Sequence, residues 1–325
     1  MKKSASKGMA LIIVLMILAI MVLLASTMTE RLTLSLKRTE GTMLSQGGYW
    51  YAQATAELAR MILEDDFANN ERVSLDQNWA TPDSVFPLEN GNISGTIIDM
   101  RSCFNINAVA APDNEEVRAT GVTQLQRLLE ALDIDDYLAE TIADSTRDWI
   151  DADKVSLAAQ GAEDSFYEAL SVPHLSANVA MIDISELRAL RGVTSKVFSK
   201  ISPYLCAIPS KTQHININTV RIDQAEILYA IFPERLNLSI RDFEKLLDER
   251  DKSGWKSVDE FFTAEIFKGL NIPSAIKSQL SVQSEFFQLN GIVQFSERLI
   301  RVKLLFKIEN KKAYTIRYQS SGLGS

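Results

Sequence analysis

The hydrophobic positions begin as one unbroken block. From Met9 to Ala25 there are 17 apolar residues in a row, and no charged residue occurs before Glu30. As a helix, the segment from Met9 to Thr29 would be about 31 Å long, which matches a hydrocarbon core of about 30 Å. A typical secretory signal has a shorter core of about 7 to 15 residues. The pattern therefore predicts a membrane-spanning helix rather than a cleaved secretory signal.

The helical pattern continues beyond the apolar block. Over residues 30–63, apolar side chains recur three or four positions apart, at Trp50, Ala54, Leu58, Met61 and Ile62. One long helix, apolar all round in its first half and amphipathic in its second, would join the membrane to the folded body without a linker.

The remainder of the chain has the pattern of an α+β fold. After a turn-rich stretch at residues 78–92, a strand is predicted with four residues on or near one face, Ile93, Thr96, Ile98 and Met100. About 170 residues of helical pattern follow, and three strands with short connections are predicted at the end. We therefore expect a small antiparallel sheet packed on the long helix, with a large all-helical insertion between its first and second strands.

The helical block contains an internal repeat. FNINAVA at residues 104–110 recurs as ININTVR at residues 215–221, and each precedes a helical pattern. The asparagines are expected to bond to nearby backbone and turn the chain. Paired short helices of this kind resemble helix-hairpin-helix units, some of which grip DNA through a Gly-x-Gly hairpin with basic flanks. Gly192 and Gly269 are lone glycines among acidic or mixed neighbours, so nucleic-acid binding is not expected.

The charge balance also argues against a polyanion ligand. The formal net charge is −8, and three lysines precede Met9, so the rest of the chain carries −11. A chain that acidic binds polyanions poorly unless one face is strongly basic, and the sequence has no block of Lys and Arg.

The chain has two cysteines, Cys103 and Cys206. If the body crosses the membrane into an oxidising compartment, they could form a disulfide. The alternative is two buried thiols, each packing as a small hydrophobic residue.

The residues before the apolar block form a short basic leader that ends in glycine. KGMALIIVLMILAIMVLLA resembles the N-terminal segment of type IV pilin-like proteins, in which a class III signal is cut on the cytoplasmic side of the membrane. The resemblance implies that a prepilin peptidase cleaves between Gly8 and Met9, and that the apolar helix remains as the stem through which subunits pack. A glycine suits this point because the peptidase must bind extended backbone there. An uncleaved membrane anchor is the simpler alternative.

One position departs from the pilin-like pattern. Most pilin-like proteins have glutamate as the fifth mature residue, whereas that position is Ile13 here, and no acidic residue lies between Met9 and Thr29. The glutamate compensates a buried amino group, since an unpaired charge at the bilayer centre costs at least about 2.5–3.5 kcal/mol. A subunit without it fits an end position better than a repeating one. Together with the large size and the inner motifs, this departure resembles the minor pseudopilin K family of type II secretion systems over essentially the whole chain.

The resemblance implies a division into five segments and a location. The segments are a leader at 1–8, a transmembrane assembly helix at 9–29, a pilin-like helix and first strand at 30–104, an inserted helical domain at 105–280 and C-terminal strands at 281–325. Basic residues before the stem and an acidic body after it place the N-terminus in the cytoplasm and the body in the periplasm, with one pass through the inner membrane.

Carboxylates concentrate in residues 144–170. Five of them lie within 17 residues and could converge if the chain turns back at Gly161; they are Asp148, Asp151, Asp153, Glu163 and Asp164. Hard oxygen donors without His or Cys favour Ca²⁺. The segment is not an EF-hand, because Ser156 and Ala162 stand where that motif needs glycine and glutamate. A solvated acidic loop without metal is the alternative.

The family resemblance implies that calcium is bound here, as one or two ions with a structural role. Backbone carbonyls between Lys154 and Gln160 would complete the coordination shell. Asn178 and Glu186 are the first candidates for a second ion.

The sequence does not predict an enzyme. His174 and His214 are the only histidines, and neither lies in a nucleophile or metal motif. An anchored hydrolase would be the catalytic alternative, and it would need Asp151 and Asp153 for activity rather than for stability.

We therefore expect an assembly protein. The resemblance implies a minor pseudopilin at the tip of the secretion pseudopilus, which assists filament assembly and export of folded proteins across the outer membrane. The implied partners are other minor pseudopilins, the prepilin peptidase and the inner membrane, with the outer-membrane channel or secreted cargo as further candidates. A membrane-anchored minor pilin for adhesion or DNA uptake is the alternative.

Overall fold

The computed structural model describes residues 6–82, 84–109, 119–156 and 159–321. Within these residues the helices are α1 (Ser6–Asn69), α2 (Thr120–Ala131), α3 (Asp136–Ile150), α4 (Asp164–Glu168), α5 (Ser195–Ile201), α6 (Glu226–Ile231), α7 (Ile240–Asp248), α8 (Val258–Phe261) and α9 (Ser274–Lys277). The strands are β1 (Ser84–Leu88), β2 (Gly91–Asp99), β3 (Phe104–Asn105), β4 (Leu205–Cys206), β5 (Ile215–Asn216), β6 (Leu280–Ser281), β7 (Phe286–Phe295), β8 (Arg298–Glu309) and β9 (Lys312–Ser321).

Helix α1 is one continuous element of 64 residues, as the hydrophobic pattern predicts. From Met9 onward it is long and apolar enough to cross a membrane, and its most apolar stretch is fully exposed. The predicted inner face of its second half was wrong. Trp50 and Met61 are exposed, whereas small residues such as Ala52, Ala56 and Ala59 are buried. Small side chains let the helix approach the sheet closely, so the larger residues remain outside.

Five strands form one antiparallel sheet in the order β1-β2-β7-β8-β9. The sheet packs on α1, and the three C-terminal strands agree with the sequence prediction. Strand β1 is a correction, because it lies within the stretch predicted as turns. It pairs with β2 on one side only, where the missing N–H of Pro87 is tolerated. The insertion therefore lies between the second and third strands of this sheet instead of the first and second.

The predicted face of β2 also needs correction. Ile93 and Ile97 pack in the core between the sheet and α1, because alternate residues of a strand share a face. Ile98 points the other way and is partly exposed. Met100 lies just past the strand and joins a small cluster with the two cysteines.

The residues between β2 and β7 form a helical domain with its own core, and the repeated asparagines give its two halves the same scaffold. Asn107 exchanges two hydrogen bonds with the backbone of Met181, at 2.7 and 2.9 Å. Asn218 makes the equivalent pair with Trp255, at 2.8 and 3.0 Å. The partner lies 74 residues along the chain in the first half and 37 in the second. The first half therefore carries a long extra segment, which contains the acidic loop.

The helical domain is joined to the sheet by a buried carboxylate at the end of β2. Asp99 accepts hydrogen bonds from Asn216 Nδ2 at 3.0 Å and from the hydroxyls of Thr219 and Ser284 at 2.6 Å each. The Arg101 N–H donates to its other oxygen at 2.8 Å. Burial raises the pKa of Asp99, and these hydrogen bonds oppose the increase. One carboxylate thus ties both crossings between the sheet and the insertion.

A disulfide lies beside this junction. The structure joins Cys103, which follows β2, to Cys206 in β4, with Cα atoms 5.8 Å apart and a sequence separation of 103 residues. Phe286 and Leu305 of the sheet pack against it. The bond therefore fixes the middle of the insertion to its entry point.

Replacing Asp99 with Ala should lower the free energy of unfolding by at least about 3 kcal/mol, because Asn216, Thr219 and Ser284 would remain buried without their acceptor. Denaturant titration of the full chain in detergent micelles, followed by tryptophan fluorescence, measures the change. Asp65→Ala, an exposed change on α1, is the control and should alter stability by less than about 0.5 kcal/mol. Equal losses in the two variants would contradict the role of Asp99.

The disulfide gives a second prediction. The unreduced, denatured chain should take up no iodoacetamide, and the reduced chain should take up two equivalents. The double variant Cys103→Ser, Cys206→Ser should unfold with a free energy about 2–5 kcal/mol lower, because the bond closes a long loop. A reductant should destabilise the unchanged chain but leave the double variant unaffected. Labelling without reduction would disprove the bond.

Candidate functional site

The acidic site is built on the end of α3 and the loop that follows it. The helix begins with the Asp135 carboxylate, which accepts from the N–H groups of Tyr137 and Leu138. Asp148 lies in the last turn, and Asp151 follows the final helical residue. Glu163 is the cap residue that precedes α4. The two helix ends therefore bring carboxylates together from both sides of the loop.

Oxygens from three of the five predicted carboxylates lie close together. One oxygen from each of Asp151, Asp153 and Glu163 lies within 4.8 Å of the others. Within the described residues, both oxygens of Asp151 and Oε1 of Glu163 are buried and have no hydrogen-bond partner. Buried carboxylate oxygens without donors are unfavourable, so this grouping calls for a cation.

Asp148 lies next to this group rather than in it. It is 2% exposed, and it accepts from the Ser156 hydroxyl and the Ala162 N–H. A side chain at Gly161 would meet Asp148 Oδ2 at 2.0 Å. Gly161 therefore lets the loop close onto Asp148, in addition to letting the chain turn back as the sequence predicted.

The electrostatics of the group are unfavourable for bare carboxylates. Burial raises the pKa of Asp151 to about 7, and the charges of Asp153, Asp148 and Glu163 act in the same direction. Burial likewise raises the pKa of Asp148 to about 6 and raises that of Glu163. Arg147 compensates these negative charges only weakly, because its Nε lies 3.9 Å from Asp151, too far for a hydrogen bond. At neutral pH these charges oppose folding unless a bound cation compensates them.

Asp164 makes contacts that hold the loop, and its role as a metal ligand stays a prediction. Lys154 Nζ donates to its Oδ2 at 2.9 Å, and the N–H and hydroxyl of Ser176 donate to its Oδ1 at 3.1 and 2.9 Å. The Lys154 ammonium holds the pKa of Asp164 below its usual value. Asp164 therefore clasps the loop to the segment around Ser176. Ser176 also donates to Glu163 at 3.0 Å.

The two candidates for a second ion differ in their surroundings. The Asn178 N–H donates to the Trp149 carbonyl at 2.9 Å, and its Oδ1 is buried without a partner in the described part of the chain. Glu186 Oε1 accepts from the N–H groups of Ile182 and Asp183 at 2.7 and 3.1 Å, so it caps the following turn. Asn178 retains an oxygen for a ligand, and Glu186 Oε1 is already engaged.

The backbone carbonyls predicted as ligands, between Lys154 and Gln160, lie partly within the described residues. Residues 157 and 158 lie outside the described residues. The Gln160 carbonyl accepts from Ser145 and Arg191, each at 3.3 Å, and Arg191 also donates to the Gly161 carbonyl at 3.0 Å. Arg191 therefore anchors the loop from outside. This contact could not be predicted from local sequence, because Arg191 is some 30 residues away.

A cluster of aromatic side chains lies beside the acidic loop. The ring of Tyr167 lies 5.3 Å from Trp149 and 5.0 Å from His174. His174 therefore packs against these aromatic rings. The acidic residues therefore lie next to packed aromatic side chains.

The donor set fits calcium. Carboxylate oxygens supply the group, and Ca²⁺ prefers six to eight oxygen ligands. Asp151, Asp153 and Glu163 would bind the ion directly, with Asp148 alongside.

The predicted cleavage point lies inside α1, where Gly8 and Met9 are both helical. Residues 1–5 of the predicted leader lie outside the described residues. Ile13 is exposed on the stem.

Two family models match the chain, and both are described as type II secretion system (T2SS), protein K. One covers residues 102–210 and the other covers residues 215–283. Their division follows the two halves of the helical domain.

Several relatives carry the same description. The chain is 36% identical over 307 residues to type II secretion system protein K of Aeromonas hydrophila, with 92% of each chain covered. It is 35% identical over 325 residues to the protein K of Pectobacterium carotovorum subsp. carotovorum, with 98% of each covered.

A solved structure shows the same fold. A chain in the crystal structure of the GspK–GspI–GspJ complex from the enterotoxigenic Escherichia coli type 2 secretion system matches with a TM-score of 0.79 and 32% identity. The match covers 87% of this chain and 99% of that one. The long helix, the antiparallel sheet and the helical insertion thus have a known counterpart, and the chain belongs to the type II secretion system protein K family.

Proposed function

We propose that this chain is the minor pseudopilin at the tip of the type II secretion pseudopilus. The observation that carries the proposal is the fold match over nearly the whole length of a chain crystallised in the GspK–GspI–GspJ complex. The stem adds support, because Ile13 replaces the acidic residue that repeating subunits offer to a neighbour. A structural role in assembly then follows, and no catalytic step is assigned.

The proposed route to the tip begins at the membrane. A prepilin peptidase removes residues 1–8, the apolar part of α1 holds the chain in the inner membrane, and the body lies in the periplasm. There it joins the two other minor pseudopilins, assists filament assembly and contributes to the export of folded proteins. The disulfide is compatible with an oxidising compartment.

We further propose that the acidic loop binds calcium for a structural purpose. Asp151, Asp153 and Glu163 supply converging oxygens, and Asn178 offers a further unpaired one. The ion would compensate charges that burial disfavours and would hold the extra segment of the first half in one shape. The requirement for calcium is thus a requirement for folding of this loop.

Calcium should stabilise the chain against heat. A hundredfold excess over the dissociation constant adds about 2.7 kcal/mol, which should appear as a higher midpoint in CaCl₂ than in EDTA by circular dichroism. Asp151→Asn should lose most of this increase. In EDTA it should be no less stable than the unchanged chain, because burial opposes the charge of Asp151.

Glu168→Gln, an exposed change at the last residue of α4, is the matched control and should keep the full calcium effect. An unchanged calcium effect in Asp151→Asn would contradict the proposed ligands. Loss of fold in that variant with EDTA present would point to another role for Asp151.

Co-expression tests the position in the filament. The tagged full chain should purify from detergent extracts as a stable complex with the GspI and GspJ homologues of the same system, and it should not co-purify in long filaments of the major pseudopilin. An even distribution along filaments would contradict a tip position. Failure to bind either homologue would favour an adhesive or DNA-uptake pilin.

The same material tests the processing step. Intact mass should correspond to a chain that starts at Met9, whether or not the amino group is modified. A chain that starts at Met1 would favour a plain membrane anchor.

A further inference from the structure

The two edges of the five-stranded sheet are built differently. The β1 edge is five residues long and contains Pro87, which cannot donate a backbone hydrogen bond. The β9 edge is ten residues long and has no proline. Beyond β9 no neighbouring strand is present among the described residues. Proteins usually blunt exposed edges, so a long edge left open invites a strand from another chain.

Helix α1 bonds to the beginning of this edge, and it also approaches the later part, since burial and then Tyr49 of α1 raise the pKa of Tyr318. Glu64 accepts from Lys312 Nζ at 3.0 Å and from the Ala313 N–H at 3.2 Å. After the irregularity opposite Leu305 and Phe306, residues 317–321 pair one-to-one with β8. We call residues 316–321 the open edge. Ile316 is 44% exposed and Tyr318 is 36% exposed, so apolar side chains also face solvent there.

The sheet face opposite α1 carries a row of cations next to the open edge. Arg317 and Lys303 line one cleft between the sheet and the helical domain, and Arg301 lies two residues before Lys303 on the same face. Lys303 is neutralised by Asp183 at 2.7 Å. Neither Arg301 nor Arg317 forms an ion pair within the part of the chain that the structure describes. In a chain of net charge −8, this is a local excess of positive charge.

We propose that the open edge accepts an extended segment of a partner protein in which acidic and apolar residues alternate. The segment would add as a sixth strand and pair with the backbone of residues 316–321. Its acidic side chains would reach Arg317 and Arg301 on one face, and its apolar side chains would pack beside Tyr318 on the other. The row of arginines selects this occupant, because a basic segment would be repelled and a purely apolar one would leave the cations uncompensated. The inference is independent of the proposed tip position.

A designed peptide tests the proposal on the full chain in detergent micelles. The probe is a fluorescein-labelled eight-residue peptide in which Glu and Val alternate, and binding is followed by fluorescence anisotropy. Saturable binding is expected, and Arg317→Glu should weaken it at least about tenfold. The matched control is Lys307→Glu, the same charge reversal farther along the same face, opposite Tyr314. It should weaken binding by less than about threefold.

Two further probes separate strand addition from simple charge attraction. The same peptide with N-methylated valines lacks half of its backbone donors and should not bind, and a Lys–Val peptide should not bind either. Equal binding of the methylated peptide would overturn the proposal even if Arg317→Glu fails to fold. Equal weakening by Lys307→Glu, or no saturable binding at all, would also overturn it. Binding only to phosphatidylglycerol vesicles would show that the row serves a lipid surface instead.

Discussion

The architecture depends on one buried carboxylate, which forms no ion pair within the part of the chain that the structure describes. Asp99 ends β2, and its hydrogen-bond donors come from the second half of the insertion and from the residues that lead back into β7. Burial raises the pKa of Asp99, and its hydrogen-bond donors oppose this increase. The helical domain is therefore fixed to the sheet at both of its crossings and does not hang on a free linker. The neighbouring disulfide adds a covalent restraint at the same end of the sheet.

Elements with a long or regular pattern could be predicted from the sequence, and those that depend on distant contacts could not. Helix α1 and the last three strands have periodicities that few other structures fit. The inner face of α1 was misjudged because close packing favours Ala52 and Ala56 over large side chains. Strand β1 was missed because Pro87 reads as a turn, although an edge strand tolerates it. The positively charged surface of β8 could not be predicted, because its Lys and Arg residues alternate with apolar residues and form no block.

The candidate site follows the same division. Local density of carboxylates predicted the loop, and Asp151, Asp153 and Glu163 do converge. The hydrogen bond from Ser176 to Asp164 could not be predicted from the sequence, because that contact depends on how the chain returns after α4. The repeat explains where the loop comes from. Both halves use the same asparagine scaffold, and the acidic segment occupies the extra length of the first half. The aromatic cluster packs one side of this segment, whereas its carboxylates repel one another, which is why an ion would be needed to order the loop that carries them.

The direction of the stem gives a physical reason for an end position. At the end of the sheet nearer the apolar half of α1, Phe295 packs on Tyr51, with ring centroids 4.7 Å apart. At the far end, Phe287 packs on Phe67 at 5.6 Å, and Asp99 lies directly opposite Phe287 in the ladder. The insertion therefore leaves the sheet at the end remote from the apolar half of α1, and in the proposed filament it would occupy the space ahead of this subunit. The stem offers no carboxylate to a neighbour, and the body would obstruct the space ahead of it. Both features favour the proposed position at the end of the filament, with other subunits behind this one and none in front.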